Sequence, residues 1–313
     1  MIAVPDEASA ESAPPPPTSH LVPGAGAQIH LLDYGDPGHP PIVMVHGIRD
    51  LARSLEVVAR PLAGTYRVLA LDLRGHGDSE KTGSYSQPLY VADLHEVIAN
   101  LELDDVILIG HSLGGQVVCR YAALFPEHVR AVISIEGLGP PTWPNDAGED
   151  GRRRVARARV EMLAQLRAAG RVMRDLDEAT ERVAHKHPKL DAERARDLAA
   201  HGTVEVDGGI SWKWDPRVQS TWASVTREDN EQHWQWVECP TLVVTAGLAG
   251  DFWRQRRGMK EAPRGGLTPD ELARRLAFFS RATHVEIGDS GHMVHFDAPD
   301  ELNTHIAAFL ERV

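Results

Sequence analysis

The sequence predicts an α/β protein: a mostly parallel sheet with helices on both faces. Two observations carry this. Short apolar, β-branched runs alternate with helical patterns, the rhythm of parallel strands joined by crossovers. The pentapeptide Gly110-His111-Ser112-Leu113-Gly114 also stands between one such run, Val106–Ile109, and a helical stretch, Gly115–Leu124, that stops before Pro126. A serine flanked by glycines between strand and helix is a sharp, strained turn that lifts the hydroxyl clear of the sheet.

Taken in order, the chain begins with a low-complexity leader, residues 1–20, carrying Asp6, Glu7, Glu11 and the run Pro14-Pro15-Pro16-Pro17. It has neither the basic start nor the apolar stretch of a secretory signal, so a disordered, partly polyproline tail is expected. Ala27–Asp33 opens the sheet in an antiparallel hairpin with the segment before it. The parallel strands expected next are Ile42–Val45, Val68–Leu73, Val106–Ile109, Ala131–Ile135, Leu242–Thr245 and His284–Ile287. Each is followed by a loop rich in Gly, Asp or His. In open parallel sheets ligands bind beyond the carboxyl ends of the strands, so these loops should converge on one site. The core therefore spans residues 21–138 and 239–313, with residues 139–238 inserted between its halves.

About a hundred residues break the rhythm there, too many for a plain connection. Val155, Met162, Leu166, Ala169, Met173 and Leu176 recur at helical spacing. Arg152, Arg153, Arg154, Arg157 and Arg159 crowd the start of that pattern and read as a solvated face with acidic partners. Trp212, Trp214, Trp222, Trp234 and Trp236 follow; they either glue the insertion to the core or wall the site.

Composition narrows the function. A net charge of -12 argues against nucleic acid as a partner. Cys119 and Cys239 sit in apolar contexts far apart and read as small core residues, and no apolar run is long enough to span a bilayer. A cytoplasmic protein is expected. No H-E-x-x-H, C-x-x-C, Walker loop or complete G-x-G-x-x-G is present, so no metal or cofactor is expected.

The chemistry then follows from Ser112. A serine hydroxyl needs a general base within hydrogen-bond reach. His292, in Gly288-Asp289-Ser290-Gly291-His292 just after the last strand, is the candidate among 16 histidines; His295 is the competitor and reads as structural. The base needs a carboxylate to fix its tautomer. Asp251, beyond the strand Leu242–Thr245 on the loop Ala246-Gly247-Leu248-Ala249-Gly250, is preferred; Glu136, at the end of the preceding strand, is the alternative. Oxyanion donors are expected from the backbone N–H groups of Leu113 and of Ile48, in His46-Gly47-Ile48-Arg49-Asp50. Asp72-Leu73-Arg74-Gly75-His76-Gly77-Asp78-Ser79 reads as a hydrogen-bonded brace at the same rim.

The Ser112 turn, His46-Gly47, Asp72 to Ser79 and the late Gly291-His292, in this order, resemble the α/β-hydrolase superfamily over roughly residues 25–138 and 239–312. The resemblance implies an eight-stranded, mostly parallel sheet, a Ser–acid–His triad in that chain order and a helical cap in the insertion. Glu136-Gly137-Leu138-Gly139-Pro140 and Trp212-Lys213-Trp214-Asp215-Pro216 further resemble the serine hydrolase-like group of esterases. One feature departs from the family: members commonly carry Gly-x-x-Asp close behind the strand, whereas Gly247 and Asp251 are spaced differently.

The function expected is a serine hydrolase cleaving a carboxylic ester of a small hydrophobic substrate through an acyl-enzyme on Ser112. A carboxylate nucleophile, as dehalogenases and epoxide hydrolases need, is absent from this position. Carbon–carbon bond hydrolases, lactonases and cofactor-free perhydrolases keep the serine and remain alternatives. A non-catalytic small-molecule receptor is the alternative of a different class.

Overall fold

The computed structural model describes residues 16–142, 148–167, 170–257 and 261–313. The leader expected over residues 1–20 falls outside these up to residue 15. Its last three residues do not belong to a tail: they begin strand β1 (Thr18–Pro23), which pairs antiparallel with β2 (Gln28–Asp33) from Thr18 opposite Asp33 to Pro23 opposite Gln28.

The remaining strands before the insertion are β3 (Pro41–Val45), β4 (Arg67–Leu71), β5 (Val106–His111) and β6 (Val129–Ile135). They alternate with helices α1 (Glu56–Leu62), α2 (Gln87–Asn100) and α3 (Leu113–Leu124). The insertion carries α4 (Gly148–Gln165), β7 (Val172–Met173), α5 (Leu176–Lys186), α6 (Ala192–Gly202), β8 (Thr203–Val206), β9 (Gly209–Trp212) and α7 (Arg227–Gln235). The core resumes with β10 (Thr241–Ala246), α8 (Ala249–Arg257), α9 (Pro269–Leu276), β11 (Ala282–Ile287), α10 (Val294–Asp297) and α11 (Pro299–Leu310).

Eight strands form one sheet in the order β1-β2-β4-β3-β5-β6-β10-β11. It is parallel from β4 to β11 and antiparallel at the β1–β2–β4 edge. Because both faces are covered, the central strands are buried at nearly every position and largely apolar, and alternate side chains enter different cores. Val43 and Val45 of β3, with Val106 and Leu108 of β5, pack with α2 and α3 on one face. Ile42, Met44, Ile107 and Ile109 pack with α1 and α11 on the other. This is why the strands read as unbroken hydrophobic runs.

The insertion differs from the helical expectation. β7, β9 and β8 form a three-stranded antiparallel sheet of their own. The helical spacing read through Met173 and Leu176 spans a break: α4 ends at Gln165, Ala169 lies outside the described residues, and Met173 is buried as a strand residue. Two short helices start where the sequence supplies caps, Asp175 accepting from Glu178 N–H and Asp191 from Arg194 N–H. On α4, Arg153 and Arg157 pair with Glu149 and Glu161 one turn away on an exposed surface.

Ion pairs and hydrogen bonds seat the insertion on the core. Arg194 of α6 donates to Glu56 at 2.7 Å, and Arg53 pairs with Asp197 at 3.1 Å. Asp215 accepts from the Tyr85 hydroxyl at 2.8 Å, and its own N–H donates to Gly75 O. The five tryptophans part ways: Trp222 and Trp234 pack into the core, Trp212 and Trp214, stacked with centroids 4.9 Å apart, line a cavity, and Trp236 is exposed.

Candidate active site

Ser112 is the residue between β5 and α3, and its backbone is bent into a conformation that L residues rarely adopt, with φ 53° and ψ −113°. A non-glycine residue held there costs about 1–3 kcal/mol, which the surrounding packing must offset. The flanking glycines make that packing possible. A Cβ at Gly110 would collide with the Gly114 carbonyl, and one at Gly114 with the Val45 carbonyl. The turn is pinned by the Ser112 N–H donating to Ile135 O at 2.8 Å.

The parallel sheet then brings three strand ends together. His292, in the loop after β11, accepts the Ser112 Oγ–H at Nε2 across 3.0 Å. Its Nδ1 faces Glu136 Oε2 at 2.9 Å. Glu136 follows β6 directly, and its other oxygen accepts the Ala246 N–H at the end of β10, 2.8 Å away. The tautomer with Nδ1–H satisfies both ring nitrogens at once. The His111 ring braces this loop from behind by donating Nε2–H to His292 O at 2.8 Å.

Asp251, preferred from the sequence as the acid, is not brought to the histidine. The segment after β10 is not a long flexible loop: α8 begins at Ala249, so Asp251 lies in its first turn with an exposed side chain. There its carboxylate pairs with Arg254 at 3.0 Å, one turn along. An acid in a first helical turn also complements the helix dipole. Glu136, the alternative, holds the position beside His292. The next residue of α8, Phe252, is what reaches the imidazole, stacking on it with centroids 3.9 Å apart, and Trp253 meets it edge-on at 5.5 Å. Neither aromatic was anticipated; the Phe252-Trp253 pair at the position where an acid was sought is the signal in the sequence.

Burial sets the protonation of the pair. It pushes the His292 pKa down to about 3, with Arg256 and Lys186 adding repulsion, so the ring is neutral and free to accept a proton. Burial pushes Glu136 up to about 8, against the pull of the Ala246 N–H. Burial makes a lone charge costly on either partner, and the Nδ1–H of His292 together with the positive charge that develops on the ring favours the ionised carboxylate of Glu136 opposite it.

The loop after β3 lies against the nucleophile. A Cβ on Gly47 would stand 3.0 Å from His111 Nδ1 and 3.3 Å from Ser112 Cβ, so a larger residue would have to push these neighbours back. Leu113 is the first residue of α3, where an N–H has no partner within the helix. The His46 ring holds the loop, donating to Gly47 O at 2.6 Å and accepting the Leu73 N–H at 3.0 Å. Asp72 ties the neighbouring loop by accepting from Ala52 N–H, Asp78 N–H and the His30 ring.

Two clusters have metal-ligating residue types, but both are largely spent on the protein. His30 and Asp72 are hydrogen-bonded to each other at 2.7 Å beside Asp78. In the second, Asp50 accepts from Leu51 N–H and Ser54 Oγ–H, and His111 holds the His292 carbonyl; His295 alone has both ring nitrogens without a hydrogen-bond partner. His295 is fully buried, meets the His111 ring edge-on and has no contact of this kind with Ser112.

The sequence matches the signature of the α/β hydrolase fold over residues 40–299, which is most of the chain. The chain belongs to the α/β-hydrolase fold family. A "Serine hydrolase-like protein" of Danio rerio is 28% identical over 282 residues, covering 87% of this chain and 81% of that one. A 2-(acetamidomethylene)succinate hydrolase of Mesorhizobium japonicum is 27% identical over 216 residues, 68% of this chain and 73% of the other. Among solved structures, a thioesterase domain from the curacin biosynthetic pathway superposes with a TM-score of 0.77 at 24% identity, covering 93% of this chain and 99% of that domain. This α/β hydrolase has no helix among its described residues long and apolar enough to cross a membrane.

Proposed function

We propose that the protein is a serine hydrolase that cleaves a carboxylic ester through an acyl-enzyme on Ser112. The observation that carries this reading is the continuous line from Ser112 Oγ to His292 Nε2 at 3.0 Å and from His292 Nδ1 to Glu136 Oε2 at 2.9 Å. Ser112 Oγ attacks the ester carbonyl as its proton passes to His292 Nε2. Glu136, not Asp251, fixes the ring and faces the imidazolium. The tetrahedral oxyanion is held by the N–H groups of Leu113 and Ile48, preorganised donors whose individual removal costs on the order of a hundredfold in rate. His292 returns the proton to the leaving alkoxide, the bond to that oxygen breaks, and the acyl group stays on Ser112. Water, deprotonated by the same nitrogen, then attacks the acyl-enzyme and releases the acid.

The segment 139–238 acts as a cap in this reading: α5, α6 and β9 roof a cavity of about 760 Å³ whose floor includes Leu51 and Gly77. That space suits a small substrate with an apolar part against Trp212 and Trp214. The Danio rerio relative, named a serine hydrolase-like protein, supports the serine chemistry.

Hydrolysis of a chain-length series of para-nitrophenyl esters by the protein and by Ser112→Ala tests the reading. Turnover that drops roughly ten-thousandfold or more in the variant supports it. Equal turnover by both proteins, or none by the folded protein together with no labelling of Ser112 by a fluorophosphonate, overturns it.

A further inference from the structure

The cavity under the insertion, lined on the core side by Arg49 and Leu51, has a charge imbalance. Most charges on its wall are settled within the protein: Arg174 and Arg182 hold Glu178 at 3.3 and 2.8 Å, and Lys213 holds Asp78 at 2.7 Å. Three groups are not settled, the carboxylate of Glu181 and two cations. Arg49 makes no hydrogen bond and no ion pair among the described residues, and neither does Lys186. The carboxylate closest to hand is Asp50, which attracts Lys186 electrostatically. Both Asp50 oxygens, however, are already occupied, by Leu51 N–H at 3.0 Å and Ser54 Oγ–H at 2.9 Å. Burial moreover raises the Asp50 pKa, weakening it as a counter-ion.

The two cations come from opposite sides of the site. Arg49 follows Ile48 on the loop that lies against Ser112, and Lys186 ends α5 in the insertion. Both side chains are exposed along the cavity wall, where the surrounding protein lowers the pKa of each and Arg49 adds repulsion at Lys186. The charge of Lys186 is also felt at His292. Two cations on one cavity wall, neither in an ion pair, repel each other in the empty protein. A bound anion would reverse that cost, as carboxylates bind guanidinium and ammonium groups through short, charge-assisted hydrogen bonds. The overall charge of -12 does not oppose this, because charges farther away than about 8 Å are screened at physiological salt, and the local pair decides.

We propose that the ester hydrolysed here carries a free carboxylate, which Arg49 and Lys186 bind in the cavity between the Ser112 loop region and the insertion. This rests on the ester-hydrolase reading above. The carboxylate belongs either to the acyl chain or to the alcohol, and the same two cations serve both.

The test pairs each charged ester with a neutral one of matched size. Mono-para-nitrophenyl glutarate against para-nitrophenyl valerate places the charge on the acyl side. Para-carboxyphenyl butyrate against its methyl ester places it on the leaving group. In one of the two pairs the charged ester has the higher kcat/KM, by about tenfold or more, the size of a charge-assisted contact. Arg49→Gln and Lys186→Gln each erase that ratio, while Lys186→Arg keeps it and shows that the position tolerates substitution. Neutral esters turned over as well as both charged ones, or a ratio that survives both glutamine variants, would overturn the anion site and leave the ester hydrolase standing. Absence of turnover for all four esters would overturn both.

Discussion

The phenyl ring of Phe252 lies flat on the imidazole of His292, with centroids 3.9 Å apart and 11° between the planes. The ring covers the histidine on the side where β10 ends, and it is a reason that burial dominates the depressed His292 pKa. Phe252→Ala should admit water to that face and raise the pKa toward the ordinary 6.5. The unprotonated ring is the active form, so the rate of the variant should fall on acidification well inside the folded pH range. The parent protein should hold its rate to the acid limit of that range. A kcat/KM–pH profile measures this, and superimposable profiles would show that Phe252 does not keep the imidazole dry.

Glu136 and Asp251 offer a direct contrast. Glu136→Gln keeps the shape but replaces the carboxylate that fixes the Nδ1–H tautomer, and kcat should drop about a thousandfold or more. Asp251→Asn removes only an exposed pair with Arg254, of the kind that contributes little, and kcat should stay within about twofold. The reverse ranking in kcat would return the role to Asp251.

That contrast also marks how far the sequence could be read. Ser112 and His292 were legible because the first lies immediately past an apolar strand and the second in the loop after the last strand, and the strands of a parallel sheet end at one rim. The strands themselves were legible because residues such as Ile42 to Val45 form short apolar runs, which the structure buries on both faces. The acid was not decided, because Gly247 and Gly250 read as loop while the residues from Ala249 onward satisfy their backbone in a helix. The small sheet of the insertion was hidden for a related reason. Its strands are two to four residues long, too short to show a period of two. Arg49 was quoted only as the neighbour of Ile48, since a cation without a counter-ion is visible only once the fold has placed the others.

Arg275 gives a prediction about stability. Its side chain is fully buried and donates to Leu138 O at 2.6 Å, Gly139 O at 3.2 Å and Pro140 O at 2.7 Å, with Glu271 at 2.6 Å as its counter-ion. These carbonyls belong to the segment that follows Glu136. Arg275→Met fills much of the volume but strands three carbonyls and takes from the mostly buried Glu271 its counter-ion, leaving that carboxylate its hydrogen bonds from Thr142. A loss of about 3–5 kcal/mol is expected, the usual result of removing one partner of a buried pair. Urea unfolding followed by circular dichroism would show it, and a change below about 1 kcal/mol would mean that the segment holds itself.

Acid should unfold this protein early, and the histidines decide it. His76, His111 and His292 have pKa values lowered to about 3, and His295 lies well below its ordinary value, in each case mainly through burial. Folded, these rings are neutral; unfolded, they bind protons below about pH 6.5. Their stabilisation is therefore complete above 6.5 and is lost as pH falls toward the folded values. Glu136 works in the opposite sense. Its pKa rises from 4.5 to about 8, so it favours the folded state below 4.5 and loses that contribution as pH rises through 8. Between 4.5 and 6.5 these four histidines, joined by His187, also lowered to about 3, and by His233 and His284, oppose Glu136 and the raised carboxyls of Asp50 and Asp93, and each proton changes stability by about 1.4 kcal/mol per pH unit. The urea midpoint should accordingly fall steeply from pH 6.5 to 5. His295→Gln should flatten that slope by about one proton, because the ring has no hydrogen-bond partner of its own to complicate the comparison. A midpoint independent of pH across this window would mean that the buried rings are protonated in the folded protein, and that burial does not control them.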